Sequence, residues 1–149
     1  MKAPAASSAN ALSTMRANRR ISGLERRLRA ALWTAGARGY RVQSPLPGRP
    51  DLVFPVERIA VLVHGCFWHV CPTCRLPMPK ANAEFWGAKL ARNAERDHEA
   101  EERLRSMGWL VVVVWEHELR ADPGGVVRSL MMQRAVHRAA LSAERSRHA

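Results

Sequence analysis

A mixed α/β fold is predicted by three features of the chain. Apolar residues recur at helical spacing near its N-terminal end, and four short runs rich in β-branched and aromatic residues are bounded by turn formers. Between the third and fourth runs lies a long charged segment of helix-favouring residues. With 149 residues and 47% hydrophobic content, the chain has room for one domain with a real core and not for two comfortable ones.

Residues 1 to about 15 are small and polar and read as an N-terminal arm, after which Arg16, Arg19 and Arg20 begin a basic run. Ser22 and Glu25 have capping-box spacing. Leu24, Leu28, Ala31 and Leu32 then mark a helix from about Gly23 to Ala35, stopped by Gly36 and Gly39. Tyr40 to Val42 reads as a short strand, and the prolines and glycine of Pro45 to Pro50 exclude any regular element there. Asp51–Phe54 and Arg58–Val63 read as a central hairpin. Asn82 to Met107 reads as a helix capped by Asn82 and closed by Gly108. Trp109 to Trp115 is so uniformly apolar that it is predicted in the middle of a sheet, covered on both faces. After Pro123-Gly124-Gly125 a basic helix, about Val126 to Ala143, carries Arg128, Arg134 and Arg138, and frayed polar residues end the chain. The predicted organisation is an arm (1–15), one domain (16–122) and a basic C-terminal helix with its tail (123–149).

The 24 Lys+Arg against 13 Asp+Glu give a net charge of +11, mostly on arginine, and point to a polyanionic partner. No apolar stretch is long enough to span a membrane, and the first ten residues lack the apolar region of a secretory signal, so a cytoplasmic protein without a membrane partner is expected. Cys66, Cys71 and Cys74, an odd number within nine residues, fit a reducing compartment and a metal better than disulfides. Three thiolates with one imidazole would close a tetrahedral zinc site, the fourth ligand coming from His69 or His117. His117 is preferred because it ties the loop to a distant strand end.

Pairing of the two hairpin strands would bring Asp51, at the start of one, to the same end as Val63 and His64, at the end of the other. A carboxylate there either holds Mg2+, with a backbone carbonyl and water completing the shell, or caps the turn after Pro50.

The string His64-Gly65-Cys66-Phe67-Trp68-His69, followed by Glu84-Phe85-Trp86 and by Asn93, Glu95, Arg96 and Asp97, resembles the very short patch repair endonuclease family. The likeness extends to Leu24-Glu25-x-Arg27-Leu28, Leu46 to Asp51, and Gly108 to Glu116, covering roughly residues 15 to 120. It implies a PD-(D/E)xK restriction-nuclease core with a mixed central sheet flanked by helices and a structural zinc site. The implied enzyme is a DNA endonuclease that nicks one strand beside a T:G mismatch left by deamination of 5-methylcytosine. Its cofactors would be catalytic Mg2+ and structural Zn2+. Its partner would be mismatched double-stranded DNA, bound by a monomer with a functional link to a cytosine methyltransferase and to mismatch-repair proteins.

By that resemblance Asp51 and the Val63 backbone carbonyl hold magnesium, and Glu25 orders water around it. His69 acts as general base, His64 lies beside the scissile phosphate and Asp97 orients His69. Phe67, Trp68 and Trp86 match the aromatic residues inserted beside the mismatch, and Met15-Arg16 an arm that enters the minor groove. Lys89, Arg92 and Arg96, at i, i+3 and i+7, form a stripe for phosphate, with Asn93 among the DNA contacts. Trp33, Trp109 and Trp115 are left to the core. Two departures stand out. Val63 replaces the threonine of the best-known form, which a carbonyl ligand tolerates, and the zinc set Cys66, Cys71, Cys74 and His117 exchanges one His and one Cys between its second and last corners.

Overall fold

The computed structural model describes residues 23–149. The arm, Ser22, and the DNA contacts assigned to Met15 and Arg16 lie outside the described residues. Helix α1 (Gly23–Thr34) is followed by β1 (Arg41–Val42), β2 (Leu52–Phe54), β3 (Ile59–His64), α2 (Ala83–Ser106), β4 (Leu110–Trp115), α3 (Glu116–Ala121) and α4 (Pro123–Arg147).

The four strands make one mixed sheet in the order β1-β2-β3-β4. β2 and β3 form the expected antiparallel hairpin, with Leu52 opposite Val61 and Phe54 opposite Ile59. α2 is the crossover that returns β4 parallel to β3, from Ile59 opposite Leu110 to His64 opposite Trp115. This corrects the placement of Trp109–Trp115. β3, buried along nearly its whole length, has a strand on each side, whereas β4 is an edge strand. The apolar run arises because helices cover both faces of that edge. Val112 and Val114 enter the larger core with Leu28, Leu32, Phe54, Leu119, Val127 and Leu130, while Trp109 and Val111 pack on the opposite side with Val53, Ala60 and Leu104.

Other differences follow from local geometry. Trp33 was expected in the core but is 64% exposed. Leu28 and Leu32 define the inward face of α1, and the next residue, a turn of about 100° away, must point outward. Its ring is covered by the Arg38 guanidinium, 3.6 Å from the ring centre. Asn82 precedes α2 in the left-handed region (φ 56°) and its side chain makes no cap, so a turn rather than a cap ends the preceding loop. Gly108 does close that helix region. Its φ of 84° favours glycine, and a Cβ there would sit 3.1 Å from Arg58. At Gly48 (φ 73°) a Cβ would come within 2.6 Å of the Ala100 Cβ, so this glycine lets the proline-rich loop lie on α2.

The C-terminal region differs more. The short α3 was not foreseen, and α4 begins at Pro123 with the Asp122 carboxylate accepting from Gly125 N–H at 2.9 Å. α4 runs to Arg147 and contributes Val127 and Leu130 to the core. Arg134 and Arg138 both clamp the buried Glu57 carboxylate in the β2–β3 turn, Arg134 Nε at 2.8 Å. The Arg134 guanidinium also lies 4.4 Å from the centre of the Phe54 ring.

Candidate active site

The hairpin register carries Asp51, at the mouth of β2, to the C-terminal end of β3. Asp51 N–H donates to the Val61 carbonyl at 3.0 Å, and Val63 N–H donates to Asp51 Oδ2 at 2.6 Å. Burial pushes the Asp51 carboxyl up to about 6, against the Val63 hydrogen bond that lowers it, and the Glu25 carboxylate near the start of α1 raises it further. Glu25 itself pairs with Arg29 at 2.9 Å. Two carboxylates converging on one strand end, one of them resisting ionisation, form a donor set that a hard divalent cation would relieve.

β3 ends at His64, which is buried, and the chain turns back through Gly65 so that the rings of His64 and His69 stack. Burial and the neighbouring His69 pull the His64 pKa down to about 4, with Asp97 opposing. Asp97, reaching from α2, meets His69 Nδ1 at 2.6 Å. One helical turn earlier on α2, Asn93 Nδ2 donates to the Trp68 carbonyl at 3.1 Å. Asn93, assigned to DNA by sequence, thus holds the backbone next to His69. Ligand-capable atoms of His64, His69 and Asp97 lie within 4.8 Å of one another. Parallel rings, however, aim their lone pairs side by side rather than at one point, which suits proton handling better than shared metal ligation.

Phe67, Trp68 and Trp86 form one half-buried cluster. Ring centres lie 5.3 Å apart for Phe67–Trp68, 6.1 Å for Phe67–Trp86 and 5.7 Å for Trp68–Trp86. Phe85 joins through Trp86 at 5.4 Å. The Lys89 ammonium stands 5.5 Å from the centres of both Trp68 and Trp86, while Arg92 and Arg96 are exposed on α2.

Cys66, Cys71, Cys74 and His117 place one ligand atom each within 4.8 Å of the others. His117 Nδ1 is 3.3 Å from the Cys66 sulfur and 3.5 Å from that of Cys71. Burial and the neighbouring Cys66 and Cys71 push the Cys74 thiol up to about 12. Cys71 is shifted the other way, its burial outweighed by hydrogen bonds from the Cys74 and Thr73 amides and from Cys74 and Cys66, and a tetrahedral zinc would hold the three sulfurs as thiolates. His117, not His69, completes this group.

A sequence model described as DNA mismatch endonuclease Vsr matches residues 7–75. The type II nicking enzyme V.NaeI of Lentzea aerocolonigenes is 42% identical over 126 residues, 80% of this chain and 75% of that protein. The chain belongs to the Vsr family. The DNA mismatch endonuclease Vsr of Escherichia coli K12 is 42% identical over 102 residues, covering 68% of this chain and 65% of that protein. The type II nicking enzyme V.XorIIP of Xanthomonas oryzae pv. oryzae is 42% identical over 96 residues, 64% of this chain and 70% of its own length. Within this Vsr-family chain, the residues that sequence reasoning passed over are Phe85, Trp115 and Glu116. Trp115 was assigned to the core, yet its ring meets the edge of His64 at 5.2 Å. Glu116 Oε1 accepts from the Cys66 amide at 3.1 Å. Only a register placing Trp115 opposite His64 could have exposed both.

Proposed function

We propose that the protein is a magnesium-dependent DNA endonuclease of restriction-endonuclease type that nicks one strand at a T:G mismatch. The observation that carries this reading is a convergence at one end of the sheet. Asp51, bonded to the Val63 amide and within electrostatic reach of Glu25 and His69, lies at the end of β3 from which His64 and the His69–Asp97 pair follow, and Phe67 and Trp68 of the aromatic cluster stand in the same loop.

Asp51 and the Val63 carbonyl would hold magnesium, with Glu25 beside them. When bound, the ion polarises the scissile phosphate and makes nearby water more acidic. The chain's own residues do the rest. With Nδ1 turned to Asp97, His69 keeps Nε2 for the proton of the attacking water, and Asp97 stabilises the imidazolium that results. His64, buried and neutral at neutral pH, offers the phosphate a hydrogen bond without adding a charge. The aromatic rings replace stacking lost at an opened mismatch, worth about 1–3 kcal/mol per base in single-strand systems. Lys89, Arg92 and Arg96 supply positive charge for the backbone. Zinc in the Cys66, Cys71, Cys74 and His117 group would be structural. The enzyme acts as a monomer on double-stranded DNA, in functional association with a cytosine methyltransferase and mismatch-repair proteins.

The relatives named as nicking enzymes favour one further reading, a nuclease of the same fold with another DNA specificity. A panel of T:G, other mismatched and fully paired duplexes in Mg2+, with the nick mapped to the nucleotide, decides between them. Nicking confined to T:G duplexes is expected. Equal cleavage of paired duplexes supports the second reading, and no cleavage of any duplex overturns both.

A further inference from the structure

We infer that Glu116 is a positioning residue that sets the spacing of the two imidazoles by anchoring the Cys66 amide. The inference rests on the nicking reading for its kinetic consequence, but its structural half stands apart from it.

His64 and Trp115 are the last pair of the parallel β3–β4 ladder. Beyond them both strands leave the sheet, one into the cysteine loop and the other into α3, so among the described residues no backbone carbonyl continues the ladder for Cys66. The Glu116 side chain takes that place. Its Oε1 accepts from Cys66 N–H at 3.1 Å, while Oε2 receives Arg120 Nε at 2.9 Å from the next turn of α3. One oxygen grips the loop and the other fixes the rotamer. The adjacent His117 brings Nδ1 to 3.3 Å from the Cys66 sulfur. Two successive residues therefore hold Cys66 by its amide and by its thiol.

Cys66 is also the hinge point of the histidine stack. His64 lies two residues before it and His69 three after, and His69 N–H donates back to the Gly65 carbonyl at 3.2 Å. The distance between the rings, 4.0 Å, depends on where the Gly65–Cys66 peptide stands. Releasing the Cys66 amide lets that peptide rotate and shifts one ring against the other. Displacements of about 1 Å at reacting groups cost on the order of 100-fold in rate.

The test uses the full chain and the substitutions Glu116→Ala, Glu116→Gln and Glu116→Asp. Three quantities are read: kcat and KM on a T:G duplex, zinc content, and hydrogen exchange of the Cys66 amide by NMR. Glu116→Ala is expected to lower kcat by about 10- to 100-fold with KM within about twofold, keep its zinc, and exchange the Cys66 amide faster. Glu116→Gln keeps one acceptor oxygen for the Cys66 amide but loses the one that receives Arg120, so rate and exchange are expected to recover most of the way from Glu116→Ala, to within about tenfold of the parent. Wild-type kcat in Glu116→Ala, a rate loss that merely tracks lost zinc, or failure of Gln to rescue would each overturn the assignment. If Glu116→Ala does not fold, Glu116→Asp decides. It keeps the charge but falls one methylene short, so about a tenfold loss is expected and an unchanged rate overturns. If the parent chain itself does not nick, the nicking reading fails. Cys66 exchange then still tests the anchor, and equal exchange in all variants sinks it.

Discussion

The imidazoles of His64 and His69 lie parallel, 4.0 Å between centres and 3° between planes. Two such rings cannot both carry a proton without strong repulsion, and His64, being buried with a pKa of about 4, is the one that stays neutral. In the proposed mechanism the pair is divided in role by environment, with His69, held by Asp97, as the base that would receive the proton of the attacking water. His69→Ala is expected to lower nicking by roughly 10²–10⁴. Asp97→Asn should lose about 10- to 100-fold at unchanged DNA affinity. Single-turnover rates and a binding titration check both, and a full rate in either variant would contradict the division.

Asp51 links pH to both stability and metal. Its carboxyl is raised from 3.8 to about 6, so between those values the folded chain holds a proton that the unfolded chain has lost. The Asp51 contribution to stability consequently falls as pH rises through that window and stays lower above it while no cation is bound. Asp51→Asn should abolish Mg2+-dependent nicking yet unfold later than the parent at pH 7 without added Mg2+, by on the order of 1–3 kcal/mol. In the parent chain Mg2+ affinity should drop steeply below pH 6, measurable by calorimetry at pH 5 and 7. Because the buried His64 contributes the opposite slope between pH 4 and 6.5, the comparison is with the variant: an Asp51→Asn chain whose stability without added Mg2+ varies between pH 4 and 6 just as the parent's does would refute the linkage.

Metal removal should act on folding rather than on chemistry alone. Analysis of purified protein is expected to find one zinc per chain, and Cys71→Ala or stripping by chelator should lower the melting temperature sharply. His117→Cys keeps a soft ligand at that corner and should retain zinc. Soluble, cooperatively folded protein without zinc would end the structural assignment.

At the far end of the hairpin, Glu57 ties the turn to α4. Burial pushes its carboxyl up, but hydrogen bonds from Arg138 and Arg134 and the charge of Arg134 hold it below its usual value. That stabilisation is present above an unfolded pKa of about 4.5 and is lost as pH falls through the lower folded value. Glu57→Ala should cost about 2–4 kcal/mol by leaving the arginines unpaired. The nicking rate of the folded fraction should be unchanged, since Glu57 lies at the opposite end of the hairpin from Asp51 and His64. Denaturant titration with active-site normalisation tests this.

For the aromatic cluster, Trp68→Ala should narrow the affinity ratio between mismatched and paired duplexes. Equal losses on both would assign the ring to packing. Competition titrations with the two duplexes separate these outcomes.

Sequence alone reached the hairpin and its active end because Asp51, Val63 and His64 sit at strand boundaries marked by Pro50 and the cysteine loop. It reached His117 because a thiol-rich loop needed a distant partner. It misplaced Trp33 and β4 because apolarity records burial but not neighbours. A helix residue one step off the inward face and an edge strand roofed by helices carry the same composition as core. The pairing of Glu57 with Arg134 and Arg138 was invisible for another reason: ion pairs across 77 and 81 residues leave no spacing to read.

Cys66 and His117 meet across 51 residues, and Trp115 and Glu116 reach His64 and Cys66 across 51 and 50. During synthesis the residues of the catalytic loop leave the ribosome well before the strand that steadies them. A truncated chain ending short of residue 116 would carry Asp51, His64, His69 and Asp97, yet lack both the Glu116 anchor and the His117 that completes the cysteine group. The groups gathered at the end of β3 therefore gain their full set of partners only when nearly four fifths of the chain is present.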